Sequence, residues 1–197
     1  MNAGRHCSFD KPIALDKAME VFWTNGFQGS SLSDLTQAMG INKSSLYSTF
    51  GNKEALFNRV LERYVQKHGM VHAEQLVHPT KALRERIQNY LFSISKMTTN
   101  PELPGGCLIC NSTSEAGGTC LPNETHQVVT KINQVTKTSL VDFFETEKAA
   151  GNIDGKTSPD ILASYLMTLQ YGLAVMARNG VALKELKNVV KHSIDLF

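Results

Sequence analysis

Apolar residues recur at three- and four-residue spacing along nearly the whole chain, and period-two alternation bounded by turn residues is hard to find. That periodicity predicts an all-α fold. A first helix is expected over about 12–25, with Ala14, Ala18, Val21 and Phe22 as its inward stripe and Gly26 as its stop. A second opens with Ser-Leu-Ser-Asp at 31–34, a capping-box arrangement with Asp in place of the usual Glu. It buries Leu32, Leu35 and Met39 and ends at Gly40. The third is short, with Asn42 as cap, Leu46 and Phe50 inward and Gly51 as stop. Asn52 caps a long fourth helix carrying Leu56, Val60 and Tyr64, with Phe57 and Leu61 alongside. Further helices are expected at about 80–97 (Leu83, Ile87, Leu91, Ile94), 107–116, 124–149, 158–178 and 183–196. Glycine- and proline-rich breaks separate them at 100–106, 117–123 and 151–155. Ser158, Pro159 and Asp160 are a cap, a first-turn proline and an acid at the positive dipole end. The total is about nine helices.

Two of these helices, over 31–50, are joined by Gly40, Ile41 and Asn42. The glycine permits a left-handed turn and Ile41 plugs the corner, which is how a helix-turn-helix crosses two helices steeply in few residues. The second helix of such a unit enters the major groove with its N-terminal residues, while the first lies across the backbone. With Leu46 and Phe50 inward, Lys43, Ser44, Ser45, Tyr47, Ser48 and Thr49 remain for the outer face and leading end. Short hydroxyl side chains let a helix sit close to base edges. Tyr47 offers a hydroxyl to phosphate and a ring to sugar, and the amide ends near Ser31 and Asn42 offer donors to phosphate oxygens. Lys43 and Lys53 bracket the segment as phosphate-binding charges. A short helix pair with a central glycine is also common as plain packing in helical bundles.

A wider match decides between these readings. Ala-Met-Glu-Val-Phe at 18–22, Gly26-Phe27, Ser-Leu-Ser-Asp-Leu at 31–35, Gly40-Ile41, Lys-Ser-Ser-Leu-Tyr at 43–47, Phe50 and Asn-Lys-Glu-Ala-Leu at 52–56 together resemble the TetR/AcrR family of bacterial regulators. The match covers about residues 10–60. The resemblance implies a homodimer, with an N-terminal three-helix DNA-binding domain (1–52) and a C-terminal helical signal-sensing and dimerisation domain (53–197). It puts Lys43, Ser44, Ser45, Tyr47, Ser48 and Thr49 at DNA-facing positions and Lys53 at a phosphate-contacting one. Many members carry a basic N-terminal arm where Gly4-Arg5 stand, but here His6-Cys7 follow in place of the common proline.

Charge adds little to this picture. Residues 1–60 carry six Lys/Arg against five acids, so no basic stripe marks the DNA-binding part. Hydrophobic content of 42% and charged content of 19% are globular values. No apolar run approaches the ~18 residues of a membrane span, and residues 1–10 lack a signal-peptide stretch. A cytoplasmic protein with no membrane partner and no cofactor is the expectation. Four cysteines, at 7, 107, 110 and 120, are too few and scattered for a disulfide framework.

Beyond Leu61 the chemistry is sparser. Leu162, Leu166, Leu169, Leu173 and Met176 form a near-heptad stripe. It reads either as an internal core helix or, as the resemblance implies, as a dimer interface built with 183–196 in a four-helix arrangement. The run Gly-Gly-Cys-Leu-Ile-Cys at 105–110 is similar to a branch of the family that includes NemR-type sensors of electrophiles and oxidants. Cys107 beside a helix N-terminus is expected to have a lowered pKa, with Cys110 one turn on. The pair reads as redox-sensing thiols, as small buried hydrophobes, or, with Cys120 and His126, as a weak metal set. His72 reads as a surface residue. Met70, Met97, Met167 and Met176, with Phe92, Phe143, Phe144, Tyr165 and Tyr171, serve either a ligand cavity or plain core. The expected function is a transcriptional repressor, released from a palindromic operator on double-stranded DNA by a small-molecule inducer or by an electrophile at cysteine. The alternative is a thiol redox enzyme using Cys107 and Cys110.

Overall fold

The computed structural model describes residues 9–78, 80–154 and 156–197. Arg5 and Cys7 lie outside the described residues. Asp10 starts α1 (Lys11–Asn25) by accepting from Ile13 N, and Pro12 occupies the first turn, where no amide partner is needed. The reciprocal box at α2 (Leu32–Met39) is complete: Asp34 N donates to Ser31 Oγ at 3.1 Å and Ser31 N donates to Asp34 Oδ2 at 3.0 Å. Gly40 takes a left-handed conformation (φ 64°), turning the chain into α3 (Lys43–Phe50). Asn42 and Asn52 cap α3 and α4 (Lys53–Tyr64) by accepting from Ser45 N and Ala55 N, each at 2.8 Å.

The long fourth helix is not regular to its end. After Tyr64 the backbone widens into a π-helical turn (Val65–Gly69) before resuming as the short α5 (Met70–Ala73). The remaining helices are α6 (Leu83–Thr98), α7 (Leu108–Ala116), α8 (Asn123–Ala149), α9 (Pro159–Arg178) and α10 (Leu183–Ser193), followed by a 3-10 turn (Ile194–Leu196). No strand occurs among the described residues.

Two apolar clusters hold these helices. The first gathers α1–α4 around Phe22, Trp23, Leu46, Phe57 and Leu61, and takes in Cys107, Leu108 and Cys110 from the start of α7 and Ala174 from α9. Met19 and Trp23 widen the inward face of α1 beyond the expected stripe, while Val21 is only half-buried. The second joins α6, α8, α9 and α10 around Ile87, Leu91, Phe144, Leu166 and Leu186. A buried ion pair, Arg86 Nη2 to Glu147 Oε2 at 2.5 Å, ties α6 to α8; Arg86 Nη1 also donates to Leu76 O.

The stripe on α9 needs a correction. Leu162, Leu166 and Leu173 are buried within the single chain, and Leu169 and Met176 pack half-buried against the same cluster. The stripe is an intramolecular seam; three- and four-residue spacing looks the same whichever helix covers it. A second side of α9 exposes Ile161 (61%), Thr168, Gly172 and Val175. This helix is long and apolar enough to cross a bilayer by composition, yet its seam is occupied by the core.

Candidate nucleic-acid interface and the cavity behind it

The α2–α3 pair presents one polar surface because its apolar residues are drawn inward. Leu35, Met39, Leu46 and Phe50 are buried, and Ile41 packs half-buried in the turn. Lys43, Ser44, Tyr47 (50% exposed) and Ser48 stand outward on α3, while Ser45 and Thr49 are half-buried at its sides. The Asn42 cap is used on Ser45 N, so the Lys43 and Ser44 amides lead the helix without an intrahelical acceptor. At α2 the situation differs. Ser31 is exposed, but its N–H is already held by the Asp34 carboxylate, which those hydrogen bonds keep below the usual carboxylate range.

Lys53 joins this surface at the start of α4, but half-buried: its Nζ lies 4.4 Å from the Phe27 ring centroid. Burial lowers its pKa, opposed by Glu54 and Glu115. Its charge is therefore positioned by the α1–α2 corner and is not a loose surface cation.

That corner is gripped from the other half of the chain. Glu115, at the end of α7, accepts from Phe27 N at 3.1 and 3.3 Å. Arg178, the last residue of α9, donates to Trp23 O at 3.0 Å and Thr24 O at 2.8 Å. Gln28 Nε2 donates to Cys120 O. On the far side of α1, Asp16 pairs with Arg63 Nε at 2.9 Å and Lys67 Nζ at 3.0 Å. The Arg63 hydrogen bond leads in lowering the Asp16 pKa. None of these partners, 47 to 155 residues apart, has a local sequence signature.

Behind the grip lies a cavity of about 530 Å³, walled by α4 to α9. Of the aromatic and methionine residues considered from sequence, Met70, Met97, Phe143 and Tyr171 line it. Phe144 instead fills the second core, and Phe92, Tyr165, Met167 and Met176 lie outside the lining. His72, expected at the surface, is buried in the wall, sharing a 2.6 Å hydrogen bond with Ser93 Oγ. Desolvation drops its pKa to about 4. A histidine next to small and apolar residues on a short helix carries no sequence cue for this.

Cys107 also faces the cavity, and here the expected low pKa is overturned. The residue is the N-cap of α7, but it is only 9% exposed and accepts a hydrogen bond from the buried Tyr64 hydroxyl at 3.3 Å. Burial pushes the thiol up, outweighing the Tyr64 hydroxyl and the amides of Cys110 and Ile109. Cys110 is 3% exposed and pushed up to about 11. Cys120 is the exposed thiol among the described residues. No cluster of three or more His, Cys, Asp or Glu suited to a metal occurs among them.

α7 thus starts at the cavity with Cys107 and ends on the α1–α2 corner with Glu115. α4 makes the same journey in reverse, from Lys53 to Tyr64. Gly106 (φ 67°) lets the two systems touch: a side chain there would stand 3.0 Å from Arg178 Cβ and 3.1 Å from Ala174 O.

Comparison with known proteins agrees with this architecture. Residues 14–60 match the family described as bacterial regulatory proteins, tetR family, and residues 84–191 match the tetracyclin repressor-like C-terminal domain. The chain is 30% identical to the HTH-type transcriptional repressor ComR of Escherichia coli (strain K12), over 98% of this chain and 91% of that protein. It is 25% identical to the HTH-type transcriptional repressor DhaR of Mycobacterium sp. (strain GP1), over 80% and 77%. A cysteine mutant of the TetR family transcriptional regulator CifR, solved with 26bp double-strand operator DNA, superposes with a TM-score of 0.84 at 30% identity, over 95% of this chain and 97% of that one. The chain belongs to the TetR family of bacterial regulatory proteins, and is a DNA-binding transcriptional regulator, not a thiol enzyme.

Proposed function

We propose that the protein is a homodimeric repressor that grips a palindromic operator through α3 and lets go when a small molecule fills the cavity. Residues 1–52 form the reading part and 53–197 the sensing and dimerising part. The outward face of α3 carries the reading: Lys43, Ser44, Tyr47 and Ser48 are exposed while every apolar residue of the helix except the Tyr47 ring turns inward. Repressor names among the relatives support the sign of the regulation.

A dimer must hold two such helices about 34–36 Å apart to meet successive major grooves. Ligand in the cavity presses on α7 and on the π-helical end of α4. Through Glu115 and Lys53 these displace the α1–α2 corner, and the ligand acts by preferring the geometry that misfits DNA. Covalent modification of Cys107 from the cavity side would push on the same two helices.

The reading is tested by recovering bound genomic fragments and measuring their affinity for wild type, Tyr47→Ala and Lys53→Ala. Tyr47→Ala should weaken binding without changing the melting temperature. Lys53→Ala should weaken all sequences about equally and flatten the salt dependence by about one phosphate contact. Unchanged affinity in both variants rejects α3 and the start of α4 as the interface.

A further inference from the structure

We propose that the cavity takes an uncharged, largely apolar molecule with one hydrogen-bond acceptor, held by the side-chain amide of Gln170. The proposal rests on reading the cavity as the signal site and adds the chemistry of its occupant.

Among the described residues, no Asp, Glu, Lys or Arg lines the cavity. Its two histidines do not supply a charge either. Burial lowers the pKa of both His68 and His72, the latter to about 4, so both are neutral near pH 7. A carboxylate or ammonium entering this space would lose water and meet no opposite charge, which is strongly unfavourable.

The polar groups of the lining are mostly paired with one another. Tyr171 OH donates to Asn133 Oδ1 at 2.8 Å, and Asn133 Nδ2 donates in turn to Thr113 Oγ1 at 2.9 Å. Tyr64 OH is engaged with Cys107. Tyr90 OH donates to Gln170 Oε1 at 2.6 Å, which fixes the Gln170 amide. Its Nε2 is left with no acceptor among the described residues, and Gln170 lines the cavity. Thr136 Oγ1 is spent on Ile132 O, Ser139 is exposed and His68 is partly buried. The Gln170 amide is a donor held in place by its own other end, and it selects an acceptor such as a ketone, ester or ether oxygen.

The entrance suits the same class. Met70, Val77 and Val135 line the cavity and are exposed, so the approach to it is apolar as well. Val65, His68 and Gly69 reach the cavity from the π-helical turn, an irregularity often found at functional sites.

The test uses the full-length dimer and the uncharged fluorophore N-phenyl-1-naphthylamine at pH 7.5. Displacement is measured with 2-nonanone, nonanoate, nonylammonium and 1-nonene, four chains alike except at one end. The ketone should compete at least tenfold better than either ion and several-fold better than the alkene. Gln170→Met should erase the advantage of ketone over alkene, read as the ratio of their competition constants on the same protein, so that any change in fluorophore affinity cancels. Nonanoate or nonylammonium competing as well as the ketone overturns the proposal, as does an alkene equal to the ketone on wild type, whatever the variant's folding. Operator release is followed in parallel by DNA anisotropy. Selective ketone binding without release supports the ligand class and rejects the cavity as the signal site, so the two readings fail separately.

Discussion

The Glu115 carboxylate lies over the α carbon of Gly26, in the space a side chain there would fill, and accepts from the amide of Phe27. Gly26 also takes a positive φ of 73° with an extended ψ, a conformation open almost only to glycine. Gly26 thus ends α1 and admits to the neighbouring Phe27 amide a partner 88 residues away from that amide.

Glu115→Ala should leave the Phe27 amide without its acceptor and cost about 1–3 kcal/mol in urea denaturation. Gly26→Ala should cost at least as much, from backbone strain and loss of the same contact. In both variants operator affinity should fall, because the corner also seats Lys53. A Glu115→Ala protein with wild-type stability would show that the contact holds nothing in solution.

The identity of the DNA-binding unit was legible because its signals are local. Ser31 with Asp34, Asn42, Asn52 and the glycines at 26, 40 and 51 act within four residues of themselves, and each cap forms as its pattern predicts. What could not be read are groups whose environment is made by distant segments. Cys107 looks activated by its helix end until the cavity wall and Tyr64 are folded around it. The stripe from Leu162 to Met176 announces burial but not its partner. The chain's single tryptophan was the neglected cue: Trp23, one turn beyond Met19, packs edge-on to Tyr64 with centroids 4.9 Å apart, carrying α1 toward the cavity.

The α9 seam and its exposed side should behave differently when charged. Leu173→Asp places an unpaired charge inside the single chain and should unfold it, at a cost of several kcal/mol. Val175→Arg and Ile161→Arg alter the exposed side of α9, which with Tyr165 of the same helix and Val189 of α10 we propose as the face between copies. These variants should stay folded by circular dichroism and sediment as monomers with lost operator binding. A Val175→Arg, Ile161→Arg double variant that remains a tight dimer moves the interface elsewhere.

Thiol reactivity should follow exposure and not helix position. Cys120 should alkylate with iodoacetamide first, and Cys107 and Cys110 much more slowly, because burial raises both thiols. Peptide mapping over a time course gives the order. Operator release that tracks Cys120 labelling, or that persists in Cys107→Ser, removes Cys107 from the signalling path. Faster labelling at Cys107 than at Cys120 would mean that the cavity opens readily.

Acidification should expose the buried histidine. The folded pKa of His72 lies near 4, below its ordinary 6.5, so between these values the unfolded chain binds a proton that the folded chain refuses. Stability is therefore full above pH 6.5 and declines as pH falls toward 4, by roughly 3 kcal/mol from this group. His68, lowered by burial as well, adds in the same direction. Asp16, held low chiefly by Arg63, loses its contribution further down, as pH drops through the carboxylate range. Urea midpoints at pH 7.5, 6.5, 5.5 and 4.5 should show the decline, and His72→Gln should flatten it. An identical slope in the variant would place the protonation elsewhere.

The apolar cluster around Phe22 and Phe57 draws residues from both α1–α4 and α7. A consequence is that the DNA-reading head is not a detachable cassette. A graft of residues 1–52 onto a relative's body would set Trp23, Phe22 and Leu46 against foreign versions of Leu56, Leu61, Leu108 and Cys110, and the chimera should fold only where those surfaces happen to fit. Exchanges between relatives at that junction should therefore yield mostly unfolded chimeras. Single replacements of the exposed Lys43, Ser44, Tyr47 and Ser48 on α3, or of the exposed Met70, Val77 and Val135 beside the cavity, fall outside that shared core and should be tolerated by the fold.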